Sequence, residues 1–114
     1  MLGYTDKVYN AIAKADDTLF GVQFAAVCVD AAVPVQIVAN WFGVSRQAVY
    51  FWFTGVTGVA HKHRAKMSSI AAVLRAALRD NALPAEDIAT TMRVIKTYRD
   101  TLKHDKKDAP FYFS

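Results

Sequence analysis

Val35-Gln-Ile-Val-Ala-Asn-Trp-Phe-Gly-Val-Ser-Arg-Gln-Ala-Val-Tyr-Phe-Trp-Phe-Thr-Gly55 is the stretch that decides how the rest of the 114-residue chain is read. It reads as two short helices joined by a tight turn at Gly43-Val44-Ser45. Ala39 is small enough to let two helix backbones approach closely. Gly43 suits a turn residue with positive φ, which bulky or β-branched residues resist. Val44 plugs the corner, and Ser45 is a good N-cap for the second helix. Val38, Val49 and Trp52 point inward, the last two sharing one helical face three residues apart. That leaves Arg46, Gln47, Tyr50, Phe51 and Thr54 on the outer side of the second helix.

Working outward, the composition describes one domain with ample material for a core. Hydrophobic residues make up 54% of the chain, alanine is abundant, and the five glycines and three prolines are too few to break up helices. The net charge is +4, and its distribution is uneven. Residues 1–44 hold two lysines against four aspartates. Residues 45–66 hold Arg46, Lys62, Arg64 and Lys66 with no acid, and residues 67–114 hold eight basic and six acidic residues. Positive charge therefore peaks on and just after the second short helix, as a footprint on a polyanion requires. Cys28, the only cysteine, sits among Ala25, Ala26, Val27 and Val29 and reads as a buried small hydrophobe in a reducing compartment. No secretion signal opens the chain. Asp30, Pro34, Gln36 and Asn40 interrupt the apolar run 19–44 too often for a membrane span, so it is read as core.

Along the chain, Thr5 and Asp6 start a lead helix that Lys14 closes, with Val8, Tyr9, Ile12 and Ala13 at helical spacing. A second helix is expected over about 18–32. It carries one apolar stripe of Leu19, Val22, Ala26 and Val29 and another of Phe20, Phe24, Val27 and Ala31, so it should be a strut buried on two sides. Pro34 ends it or opens the next helix. After the motif, a helix from near His61 to about Asp80 buries Met67, Ile70, Val73, Leu74, Ala77 and Leu78, with Arg75 and Arg79 outside. Pro84 is expected to open a last helix with Glu86 and Asp87 in its first turn and Lys103 and His104 near its end. Its stripe of Ile88, Met92, Ile95, Tyr98 and Leu102 approaches a seven-residue repeat and is expected to form a homodimer seam. The alternative is that this stripe packs on the preceding helix within one chain. The expected class is all-α with about five helices. Residues 1–66 form the core, 67–104 a helical hairpin that packs on it or mediates oligomerisation, and 105–114 a charged and aromatic tail. Phe111, Tyr112 and Phe113 are three aromatics of the kind that dock onto something.

Catalytic patterns are missing. His61, His63 and His104 have no zinc-site spacing, there is a single glutamate, and no glycine-rich phosphate loop occurs. We expect no enzyme activity, no metal, no cofactor and no small-molecule ligand.

The stretch 35–55 resembles the helix-turn-helix of Cro and lambda-repressor-like DNA-binding domains. Ala39, Gly43, Val44, Ser45, Val49 and Trp52 carry the resemblance, each at its offset. It covers about a fifth of the chain directly and about half with the surrounding helices. The resemblance implies a cytoplasmic, nucleoid-associated, phage-encoded regulator that binds double-stranded DNA as a homodimer. In that family the second motif helix enters the major groove with its first residues at base edges. Arg46 and Gln47 would then read guanine and adenine, and Phe51 a thymine methyl. Tyr50 and Thr54 would touch phosphate or base, and Ser45 and Gln36 phosphate. Lys62, Arg64 and Lys66 would grip the backbone without reading sequence. Two features depart from the family. Val35 stands where many relatives carry a polar phosphate contact. Tyr50-Phe51-Trp52-Phe53 is unusually aromatic, which leaves open whether Phe51 and Phe53 are exposed or buried by the C-terminal helices or the tail. Two other functions share these features: a phage small terminase subunit gripping viral DNA as a ring, and a protein-binding adaptor or inhibitor.

Overall fold

The computed structural model describes residues 4–105, and every regular element in it is an α-helix. In chain order these are α1 (Asp6–Lys14), α2 (Phe20–Asp30), α3 (Val35–Phe42), α4 (Arg46–Thr54), α5 (His61–Arg79) and α6 (Ile88–Asp105). The count is six, against about five expected, and each helical stretch read along the sequence forms one of them. Most of the expected tail, including Phe111–Phe113, lies outside the described residues.

Local chemistry sets most boundaries. The Thr5 hydroxyl oxygen accepts the Val8 amide at 3.3 Å and caps α1 as expected. Thr18 does not start α2: its amide and hydroxyl both donate to Asp16, at 3.0 and 2.7 Å, so the helix begins two residues later at Phe20. These bonds hold the Asp16 carboxyl below its ordinary pKa. Pro34 stands just outside α3 in extended backbone rather than within its first turn.

One apolar core runs through the molecule. Phe24 of α2 meets Phe42 and Phe53 edge-on, with ring centroids 6.2 Å away in each case, and Phe42 meets Trp52 at 5.6 Å. Phe53 is fully buried, with the rings of Phe24 and Tyr4 beside it. Tyr4 itself is buried, donates its hydroxyl to the Val33 carbonyl, and has its pKa pushed up mainly by that burial. Cys28 is wholly enclosed, and burial likewise raises its thiol pKa. Gly21 permits a close backbone approach: a Cβ there would lie 2.6 Å from the Trp52 carbonyl oxygen. Helix α2 is therefore the strut beneath α4. Only one of its stripes is covered, however. Phe24 and Val27 are buried, whereas in the other stripe Val22 is buried, Ala26 and Leu19 are exposed and Val29 is half-buried. The expected two-sided burial is therefore only partly met.

Three further expectations change at the C-terminal end. Pro84 does not open α6. The helix begins at Ile88, where the Asp87 carboxylate accepts the Thr90 amide at 2.7 Å and acts as the cap. Tyr98, ten residues into α6, donates to Asp80 at the end of α5 at 2.8 Å. The end of α5 thus lies beside the middle of α6, so the two helices are offset rather than joined by a tight hairpin turn. Finally, Ile95 is 2% exposed within the single chain, and Met92, Tyr98 and Leu102 pack on the same core. The stripe expected to form a homodimer seam is therefore consumed inside the molecule, leaving only Ile88 substantially exposed. Residues 67–104 pack on the core formed with residues 1–66. Helix α5 crosses that boundary unbroken, and Met67, Ile70 and Leu74 belong to the same core as Phe24 and Val49.

Candidate nucleic-acid interface

The corner between α3 and α4 is built by three residues. Gly43 takes the left-handed conformation at φ 64°, and its amide and that of Val44 return to the Ala39 carbonyl, the latter at 3.1 Å. The Ser45 hydroxyl oxygen accepts the Ala48 amide at 3.1 Å, which fixes the first turn of α4. Val38, Ala39 and Val49 are buried beneath this corner, as their spacing predicts. Seated on Gly21 through Trp52, α4 has little freedom to slide or rotate.

Along α4 the exposure is graded. Arg46 and Gln47 are exposed at its first turn, and the amides there have no acceptor within the helix. Neither side chain has a hydrogen bond or ion pair within the described residues. Tyr50, Phe51 and Thr54 are half-buried, less free than the outward face predicted for them. The Thr54 hydroxyl donates to the Tyr50 carbonyl at 2.7 Å, so it is already engaged. On α3, Gln36 is exposed and its amide donates to Asn40 at 3.0 Å, while Val35 is buried and offers no polar contact. Ser45 is exposed, and its proton stays available for donation while its oxygen caps the helix.

The basic segment behaves differently from its sequence expectation. Lys66 turns inward: its ammonium donates to the Trp41 carbonyl in the last turn of α3 and lies 5.6 Å from the centre of the Phe42 ring. It meets the negative end of the α3 dipole there rather than projecting into solvent. Arg64 donates Nε to the Val59 carbonyl at 3.2 Å and spreads its guanidinium over Phe20 at 5.7 Å. Lys62 is exposed with no such contact, which leaves it the freest cation of the three. Two of the three residues expected to grip a phosphate backbone therefore also make contacts within the fold, Arg64 while remaining exposed.

His63, which has no zinc-site spacing in the sequence, holds a specific position in the fold. Its ring sits 5.4 Å from Phe42 and 5.5 Å from Trp52, bridging the end of α3 and the inner face of α4 from α5. Partial desolvation, then the charges of Lys62 and Lys66, lower its pKa. A faint signal was available, since His63 and Lys66 lie three apart on one face of α5. Their targets, however, lie more than ten residues away.

Among the described residues no cluster of three or more His, Cys, Asp or Glu side chains could hold a metal ion. No described helix is long and apolar enough to cross a membrane. The corner thus offers a rigidly mounted helix whose first turn presents a guanidinium and a carboxamide side by side. Compared with protein-family models, curated proteins and solved structures, the chain matches none of them.

Proposed function

We propose that this chain binds double-stranded DNA sequence-specifically, as a small transcriptional regulator that places the first turn of α4 in the major groove. The observation that carries the reading is the pair Arg46 and Gln47. Both are exposed and without intramolecular partners, on a helix whose other face is locked into the core. An arginine can donate two parallel bonds to guanine, and a glutamine can pair with the donor and acceptor of adenine. Ser45 and Lys62 would hold phosphates on either side, and the overall charge of +4 favours the approach. The half-buried aromatics limit base reading to the start of the helix, so the specificity is modest and a homodimer spanning two half-sites fits this function. Ile95 of the α6 stripe, buried within one chain, would take no part in its seam. Selection of bound duplexes from a randomised pool tests the proposal. A recovered consensus of a few base pairs supports it, and uniform recovery of all sequences overturns it.

One observation favours a protein-binding adaptor as the second reading. Beyond the first turn, α4 carries half-buried Phe51, and just past its Gly55 cap Val56 is 66% exposed, an apolar rather than polar edge. Capture of a protein partner that resists high salt, together with no retention on any duplex, would select it.

A further inference from the structure

The uncovered face of α2 lies in a groove. Ala26 and Val29 floor it with buried Val22 beneath them, Tyr9 and Ile12 of α1 form one wall, and the volume of this open groove is about 480 Å³. An apolar hollow of this size is within the range that encloses a drug-sized ligand or a few side chains. Its rim is charged: Asp17 and Asp30 on α2 and its approach, Arg75 across from them on α5. None of these three takes part in an ion pair among the described residues. Exposed apolar surface rimmed by charge marks an interaction site more often than bare helix.

We propose that this groove receives the chain's own segment 106–114, Lys-Lys-Asp-Ala-Pro-Phe-Tyr-Phe-Ser, with Phe111 and Phe113 seated on Ala26 and Val29. The chemistry matches in three respects. In an extended segment, residues two apart share a face, so Phe111 and Phe113 point together into the hollow while Tyr112 points out. Pro110 biases Ala109 to that extended backbone. The charges are complementary as well: Lys106 and Lys107 precede the rings and suit Asp17 and Asp30, and Asp108 suits Arg75.

The reach is sufficient. Arg75 stands five residues before Asp80, about 8 Å of helix, and Tyr98 holds Asp80. Asp105 follows Tyr98 by seven residues, about 10 Å along α6. From Asp105, extended chain at about 3.3 Å per residue brings Phe111 out to about 20 Å and Phe113 to about 26 Å. The Arg75 rim of the groove therefore lies within range of the segment in the same molecule.

Disulfide trapping in the full chain tests the proposal with both rings retained. In dilute protein, Ala26→Cys with Ser114→Cys should close an intrachain disulfide at least tenfold faster than Ala89→Cys with Ser114→Cys, Ala89 being exposed on α6. The native Cys28 is fully buried and does not compete. Equal rates would overturn the proposal, and so would bridges that form only between chains, which would place the segment on a second copy. An independent check follows the Ala13 and Ala26 methyl resonances. Replacing Phe111 and Phe113 by Ala should shift both signals as the rings leave. Unchanged methyl signals in a folded variant would show that the groove serves some other molecule.

Discussion

The corner between α3 and α4 and the connector between α5 and α6 solve the same problem in opposite ways. At the corner, three consecutive residues supply the left-handed turn, the plug and the cap, and every bond closes within five residues. The connector spends eight residues. Asn81 takes a positive φ of 61°, the Ala82 and Leu83 amides both return to the Ala77 carbonyl, Leu83 is buried and Asp87 caps the next helix. Its final geometry depends on Tyr98 reaching Asp80 across 18 positions. A turn determined by neighbours can be read from a short stretch, whereas a turn determined by packing cannot.

The sharpest way to break the corner is to disturb its seat. Gly21→Ala places a methyl group 2.6 Å from the Trp52 carbonyl oxygen, and backbone cannot swing aside as a side chain would. We expect a loss of about 3 kcal/mol, the upper end for overpacking. Urea unfolding measures it, and a loss under about 0.5 kcal/mol would mean that α2 and α4 are less tightly joined than described. Next in size is Arg46→Ala, expected to weaken the best duplex by roughly 1–3 kcal/mol while leaving the unfolding midpoint unchanged. Arg93→Ala, exposed on α6, should leave affinity unaltered. Equal losses from the two in a binding titration would remove α4 from the interface. Ser45→Ala should then cost about 1 kcal/mol of stability through the lost cap, read from the same urea curves.

The smallest effect separates the two junctions by pH. His63, at the corner, has a folded pKa below its ordinary 6.5, so the folded state binds fewer protons there than the unfolded state. Its contribution is present above that value and is lost as the pH falls below it. Asp80 is held below the ordinary carboxylate value by the Tyr98 hydroxyl and then by Arg79, and Asp87 by the Thr90 amide. Their contribution is intact at neutral pH and is lost only as the pH falls below about 4. Amide spectra recorded from pH 7 to 3 should show residues around 42, 52 and 63 responding first, and those around 80–90 later. A single simultaneous transition would refute the separation.

Much of the fold was legible because the deciding signals were local. Thr5, Gly43 and Ser45 mark boundaries found in place, and the α5 set Met67, Ile70, Val73, Leu74 and Ala77 is buried as its period requires. The errors share one physical origin. Pro84 looked like a helix start because the packing of Leu83 and the cap of Asp87 were not visible beside it. The α6 stripe looked like a seam because periodicity reports an apolar face without naming its partner. The candidate interface divides in the same way. Arg46 and Gln47 are exposed where the sequence put them, but the diversion of Arg64 and Lys66 toward Val59 and Trp41 depends on contacts across the fold. Gly21 carried no sequence signal at all, since a lone glycine in a helix does not reveal which backbone comes close to it.

That glycine has a consequence for how this molecule can change. Because α4 is held backbone to backbone on α2, what its first turn presents is decoupled from what holds it in place. Positions 46 and 47 should accept many side chains without refolding the rest, whereas position 21 should accept almost none. A lineage built on this frame could alter what it recognises through two outward substitutions. Its seat at Gly21 would have to persist unchanged.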